Sequence, residues 1–230
     1  MAAILAARGV TKSFVTGEKR LDVLTGVDLE VERGEIISIV GPSGVGKSTL
    51  LHIMGTLDAP TAGTVFIDST DAFALSETER AAFRNRTVGF VFQFHHLLKE
   101  LTALENVMMP CLIAGMTRAD AAARASALLA RVRLSERVDH RPGELSGGEE
   151  QRVAVARALA TGPHVVLADE PSGNLDRASG TELHDLLWEL RDSTGQTFAI
   201  VTHNEELFHR ADRVITLRGG RAVELPRGGA

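Results

Sequence analysis

The sequence is poor in cysteine: Cys111 is the only one among 230 residues. A single thiol cannot form a disulfide within the chain, so no disulfide framework holds this fold, and a reducing cytoplasm is the expected compartment. Long apolar runs are missing as well. A helix that spans a bilayer needs roughly 18 apolar residues in succession. The best candidate, residues 107–116, is short and broken by Pro110 and Gly115. The opening residues 1–10 carry neither the charged start nor the long apolar stretch of a signal peptide. The expectation is a soluble chain with no direct membrane insertion, for which any membrane role would come through a partner. Basic surplus is also lacking, with a formal net charge of −5. Phosphate backbones recruit excess Lys and Arg, so nucleic acid is not an expected partner. The eight histidines are scattered without metal-ligand spacing. Internal repeats, low-complexity tracts and obvious linkers are absent.

What is present is ordinary for a globular protein: 44% apolar and 24% charged residues. The length suits one large domain, or one domain with a sub-lobe. Short strands are expected at 4–10 and 23–31. A buried, β-branched strand at 35–40 leads into a Gly-rich stretch, 41–46, and a helix at about 47–54. A further strand pair is expected near 64–67 and 88–93. Between about 101 and 159 the chain turns helical, with box-like starts at Thr117/Asp120 and Ser146/Glu149. A second buried strand at 165–168 ends in Asp169-Glu170. Leu183, Leu186, Leu187 and Leu190 then share one helical face. Gly195 ends that helix, and a third buried strand, 197–201, precedes Thr202-His203. Strands alternating with helices imply a parallel sheet, with the helical block inserted into the α/β core.

Gly41-Pro42-Ser43-Gly44-Val45-Gly46-Lys47-Ser48 fits G-x-x-x-x-G-K-[ST]. Glycines let backbone N–H groups converge on phosphate oxygens, and the next helix presents its positive end to the same anion. Lys47 supplies a point charge at the β- and γ-phosphates, and Ser48 a hydroxyl for Mg²⁺. Thr49 follows at the first helical turn. The chemistry expected is binding and hydrolysis of Mg-ATP. Asp169 and Glu170 stand at the end of a buried strand, where α/β sheets place their ligands. Asp169 would hold Mg²⁺, directly or through water, and Glu170 would orient or deprotonate the attacking water.

Leu145-Ser146-Gly147-Gly148-Glu149 opens a helix with the apolar stripe Val153, Ala156, Leu159 and Ala160. Ser146 and Glu149 suit a capping box, yet two glycines in a first helical turn are costly. Their use is close backbone approach to an anion.

The order of these motifs, with Gln93, the run Gly173-Asn174-Leu175-Asp176 and His203, resembles the ATP-binding subunits of ABC transporters over essentially the whole chain. The resemblance implies a P-loop NTPase (RecA-like) α/β core with a mainly parallel sheet, an N-terminal antiparallel β-subdomain and an inserted α-helical subdomain. A single domain, 1–230, would comprise a core with its β-subdomain at about 1–93 and 160–230 and the helical subdomain at about 94–159. It further implies a head-to-tail pair of copies. Each ATP would lie between the phosphate loop of one copy and Ser146, Gly147 and Gly148 of the other. Gln93 would sense Mg²⁺ and nucleotide, His203 would contact the γ-phosphate and position Glu170, and Asp176 would couple the two sites. Phe14 occupies the place of an adenine-stacking aromatic, without the hydroxyl of the Tyr often found there. The family pattern also leads one to expect Gln where Glu149 and Glu150 stand, and Gly in the hairpin 68–71.

The stretches 52–63, 88–98 and 101–107 are similar to the lipoprotein-releasing (Lol) group of this family, with the Phe94-His95-His96 triplet tilting toward it. That resemblance implies integral membrane permease subunits of the lipoprotein-releasing type as partners, at the cytoplasmic face of the bacterial inner membrane. Residues 107–116, with Met108, Met109 and Met116, are read first as ordinary core of the helical lobe; the other reading is that they help form a groove for a short helix of that partner. Two alternatives remain open at this stage. One is a macrolide-export-type or cell-division-type mechanotransmission ATPase with no lipoprotein cargo. The other, a soluble ABC ATPase acting on DNA or ribosomes, is disfavoured by the lack of a long coiled-coil insertion, a second cassette and basic excess.

Overall fold

The computed structural model describes residues 3–17 and 19–226. Strands β1 (Ala3–Thr16) and β2 (Lys19–Glu32) form a long antiparallel hairpin. Both outrun the expected segments, because polar residues beyond the apolar cores continue the ladder. β3 (Ile36–Val40) leads through the phosphate loop to α1 (Lys47–Met54). β4 (Ala62–Ile67) and the short β5 (Thr70–Asp71) follow, then α2 (Glu77–Thr87) and β6 (Val88–Phe92). The helical block holds α3 (Ala103–Ile113), α4 (Arg118–Arg131) and α5 (Gly147–Ala158). β7 (Val165–Asp169), α6 (Arg177–Thr194), β8 (Thr197–Val201), α7 (Glu205–Arg210), β9 (Arg213–Arg218) and β10 (Arg221–Leu225) complete the chain.

Two sheets result. One has the order β2-β1-β4-β5 and is antiparallel; the other has the order β10-β9-β3-β8-β7-β6, parallel except at β10. The expected pairing of 64–67 with 88–93 is therefore corrected: β4 pairs with β1, and β6 pairs with β7 in the other sheet. Apolar content alone does not choose a partner strand, and β4 finds its neighbour across the hairpin.

The central strands are apolar at nearly every position because both faces are covered. Ile37, Ile39, Val165, Leu167, Ala199 and Val201 point into a core shared with α1 and the antiparallel sheet. Their neighbours Ile36, Val166, Ala168, Phe198 and Ile200 point into a second core built with α3, α4, α5 and α6. The alternation follows from the two-residue period of a strand. Helix ends follow local chemistry. Asp176 caps α6 by accepting from the Ser179 amide, and Gly195 ends it at φ 68 while donating to the Arg191 carbonyl. Thr117 caps α4 through the Asp120 amide. Full capping boxes at Ser76/Glu79 and Thr102/Glu105 start α2 and α3. The hairpin at 68–71 turns without glycine: Asp68 and Ser69 both take positive φ, 47° and 67°. Asp, with a short polar side chain, tolerates that region better than most residues.

Close approach fixes where α5 sits on the sheet. Gly89 of β6 abuts the end of α5 so tightly that an added Cβ would lie 2.3 Å from the Ala158 carbonyl oxygen. That atom is backbone and cannot rotate away. Gly89→Ala should therefore destabilise the chain by about 1–3 kcal/mol, read as a lower midpoint in urea denaturation. A midpoint equal to that of the parent would contradict this packing.

Candidate active site

The loop between β3 and α1 is shaped by glycine. Gly46 adopts φ 104, and a Cβ there would lie 2.6 Å from Val23 Cγ1, so any other residue would be strained and would displace the Val23 side chain. Gly41 and Gly44 also take positive φ, and Pro42, Ser43 and Gly44 form the exposed rim. Val45 closes the turn, its amide donating to the Pro42 carbonyl at 3.4 Å. α1 begins directly after Gly46 with no side-chain cap and no acid in its first turn. Its first amides thus keep their donors for an anion, and the helix dipole adds positive potential there. Lys47 folds back over the loop, Nζ donating to the carbonyls of Gly41 (2.9 Å) and Pro42 (3.1 Å). Ser48 is exposed and Thr49 half-buried on the first turn.

The parallel register carries the other groups to the same edge. Phe92 pairs with Asp169, Asp169 with Val201, and Ile39 with Val201. Gln93, Glu170 and Thr202-His203 therefore emerge from adjacent strand ends beside the phosphate loop. Burial pushes the Asp169 carboxyl above its ordinary pKa; the Ser48 hydroxyl, His52 and Lys47 pull it back, and Glu170 adds to the rise. One oxygen, Oδ1, is buried without a hydrogen-bond partner. A buried carboxylate oxygen left unpaired is costly, and a cation relieves it. With the Ser48 hydroxyl bonded to the same carboxylate the donors are oxygens, which fits a hard cation such as Mg²⁺.

Glu170 sits at φ 48, a region bulky residues avoid. Its amide donates to the Val201 carbonyl and its own carbonyl accepts from Gly173 N–H, both at 2.9 Å. These bonds hold the strained residue in place. His203 Nδ1 lies 2.7 Å from Glu170 Oε2. The carboxylate is largely covered (19% exposed), whereas the imidazole is 74% exposed and free to meet a ligand. Gln93 and Asn174 hold each other through two bonds: Gln93 Nε2 donates to Asn174 Oδ1 at 3.0 Å, and Asn174 Nδ2 to the Gln93 carbonyl at 3.2 Å.

Ser146 caps α5 in a complete box. It accepts from the Glu149 amide at 3.3 Å, and its own amide donates to Glu149 Oε2 at 2.8 Å. Ser146 and Gly147 are exposed, while Gly148 is buried against Ser179 of α6. The two acids that depart from the family pattern are both engaged locally. Glu149 also accepts from Arg137 Nε at 3.0 Å, and Glu150 Oε2 lies 3.4 Å from His95 Nδ1. Phe14 stands on β1 with its ring 43% exposed and Lys12 Nζ 5.1 Å from its centroid. It is available for stacking and is not part of the core. Asp176 is exposed and bonds Ser179 through both backbone and side chain.

Two residues outside the sequence-based set tie this edge to α5. Gln151 Nε2 donates to the Phe92 carbonyl at 3.0 Å. The Arg157 guanidinium donates to the carbonyls of His95 and His96, each at 2.7 Å. Their signal was present in the sequence: long polar side chains interrupt the otherwise apolar stripe of α5.

A parallel sheet with a phosphate loop at one strand end and an acid pair two strands away on the same edge defines a P-loop nucleoside triphosphatase. The sequence model described as ABC transporter matches residues 24–173. The lipoprotein-releasing system ATP-binding protein LolD of Geobacter metallireducens is 55% identical, over 97% of this chain and 99% of the relative. LolD of Bacteroides thetaiotaomicron is 56% identical over 94% of this chain and 98% of its own length. The ATP-binding cassette MJ0796, solved as a dimer in a post-hydrolysis state bound to ADP and Pi, superposes with a TM-score of 0.88. It is 39% identical, covering 98% of this chain and all of that one. The chain belongs to the ABC transporter family of ATP-binding cassettes and is an ATP hydrolase.

The Glu149 box makes a pH prediction. The Ser146 amide, opposed by partial burial and aided by the Ser146 hydroxyl and Arg137, holds the Glu149 carboxyl below its ordinary range. A carboxylate with a depressed folded-state pKa stabilises above its unfolded value and loses that contribution as pH falls through the folded value. Glu149→Gln should therefore show a shallower loss of thermal midpoint than the parent between about pH 5 and pH 3. Parallel curves would contradict the assignment.

Proposed function

We propose that this chain is the ATP-hydrolysing subunit of a lipoprotein-releasing ABC transporter, acting as a head-to-tail pair at the cytoplasmic face of the bacterial inner membrane. The likeness to LolD proteins along nearly the full chain supports the cargo class. The Glu170–His203 pair beside the phosphate loop carries the catalytic reading.

The loop 41–46 and the amides of Lys47, Ser48 and Thr49 receive the phosphates, with Lys47 exchanging its loop carbonyls for β- and γ-phosphate oxygens. Ser48, Asp169 and Gln93 are the residues that would hold Mg²⁺, which when bound neutralises charge on the phosphates. Phe14 stacks on the adenine. Glu170 orients the attacking water and takes its proton. His203 fixes the Glu170 carboxylate through Nδ1 and contacts the γ-phosphate. Ser146, Gly147 and Gly148 of a second copy close the cage. To do this the Ser146 hydroxyl keeps accepting from Glu149 N–H and turns its own hydrogen from the Glu149 carboxylate to the anion. Asp176, exposed at the start of α6, lies at the proposed interface between the copies.

The membrane partner is an integral permease. Among the described residues no helix is long and apolar enough to cross a membrane. A groove of about 510 Å³ runs between α2, β6, α3 and α5, lined in part by Asn85, Phe90, Pro110, Ile113 and Arg157. It is the proposed seat of a short helix from that partner. Of the stretch 107–116, Met108 is buried in the helical core and Met109 half-buried, while Pro110 and Ile113 line the groove. Helical phase decides this, since the 3.6-residue period turns Met108 inward and Ile113 outward.

Glu170→Gln should trap an ATP-bound dimer, seen as an earlier peak on size-exclusion chromatography with Mg-ATP. A monomer under those conditions contradicts the paired arrangement. Ile113→Glu, with Ile113 69% exposed at the groove, should abolish co-purification with the permease subunits and leave ATP affinity within about two-fold, because one charge facing an apolar contact costs more than 1.4 kcal/mol. Unchanged complex assembly would contradict the seat.

A further inference from the structure

His184 lies in the middle of α6 with its side chain 1% exposed. Its Nε2 is 2.9 Å from Ser172 Oγ. Its Nδ1 is buried without a hydrogen-bond partner and stands 3.9 Å from Glu206 Oε2. A buried unpaired nitrogen carries a desolvation cost that a leucine of similar size would not. The two residues it addresses are special in position. Ser172 lies two residues beyond Glu170, separated by the buried Pro171. Glu206 lies three residues beyond His203, on α7, whose start is pinned by Asn204 Oδ1 accepting from the amides of Glu206 and Leu207. At the far end Glu170 and His203 meet directly at 2.7 Å. The loops that carry the two groups are thus joined at the front by Glu170–His203 and addressed from behind by one imidazole.

We propose that His184 is a positioning residue for ATP hydrolysis: it holds the segment after Glu170 through Ser172 and takes up Glu206 when α7 moves in, so that His203 and Glu170 are aligned together. The inference rests on the catalytic roles proposed above for Glu170 and His203. A closure of about 1 Å brings Nδ1 and Oε2 into hydrogen-bond range. Glu206 and Arg210 of α7 and Asp185 of its own helix are the charged groups around the ring. Burial pushes the imidazole below its ordinary pKa, Glu206 and Asp185 oppose this, and Arg210 reinforces it. A neutral ring suits the role, because Nδ1–H can donate to Glu206 while Nε2 accepts from the Ser172 hydroxyl.

The test is steady-state ATPase kinetics of the full chain with His184→Leu, His184→Gln, Glu206→Ala and Glu170→Gln. Leucine removes both polar links and keeps the packing; glutamine reaches Ser172 with an amide in place of Nε2 and loses Glu206. We expect His184→Leu to lower kcat at least five-fold with KM for ATP within two-fold and an unfolding midpoint no lower than the parent's. His184→Gln and Glu206→Ala, which each remove the Glu206 link alone, should lower kcat two- to five-fold. Glu206, on the exposed rim, carries the test should His184→Leu fail to fold. A kcat within two-fold of the parent in His184→Leu, or unchanged in Glu206→Ala, overturns the inference. So does equal loss in leucine and glutamine variants. Glu170→Gln separates the two levels. Loss of turnover in it with normal His184→Leu kinetics overturns this inference alone, whereas parent-like turnover in it overturns the catalytic reading and the inference together.

Discussion

The register of the parallel sheet is the constraint on which the site depends. Ile39, Val201, Asp169 and Phe92 lie opposite one another across β3, β8, β7 and β6. The phosphate loop, His203, Glu170 and Gln93 follow these four positions within two residues in sequence. A slip of one residue in any strand would send each side chain into the core on the opposite face and pull its functional group from the row. Close packing of the two differently shaped cores resists such a slip. Stability and catalysis thus draw on the same hydrophobic pattern. The polar groups at the edge can then be strained or underbonded, as the positive φ of Glu170 and the unpaired Asp169 Oδ1 are, because the core beneath them supplies the rigidity.

The helical block is tied to this edge by a few strong links. Gln151 and Arg157 hold backbone carbonyls on either side of Gln93, and Glu150 faces His95. Gly89 brings α5 into backbone contact with β6. The strand end that carries Gln93 is thus bonded directly to α5, whose N-cap is Ser146. The Glu149 box stabilises that turn despite two glycines and leaves Ser146 and Gly147 on the surface. Capping and presentation to an anion are compatible uses of one helix end.

Much of this was legible in the residues. The phosphate loop needs glycine, lysine and a hydroxyl at set spacings, so its sequence states its chemistry. The buried strands at β3, β7 and β8 announce themselves by unbroken apolar, β-branched runs. Sheet partnership was not legible, and β4 and β6 went to different sheets, because pairing is a long-range choice that local hydrophobicity does not encode. α2 was not anticipated, since it is polar on most of its surface and buries only Thr87; nor was the six-residue α7, too short for a periodic signal. The stretch 107–116 divides between core and groove, because helical phase turns Met108 inward and Ile113 outward. Pairings such as His184 with Ser172 join residues twelve apart across a turn and a helix, which no linear pattern reveals.

A cage completed only by a second copy is the centre of the account. A crystal structure of the Glu170→Gln chain with Mg-ATP tests it most directly. The account predicts that each γ-phosphate lies between Lys47 of one protomer and the Ser146 hydroxyl of its partner, within hydrogen-bond distance of both. A structure with nucleotide on the phosphate loop and Ser146 remote from every γ-phosphate would contradict it.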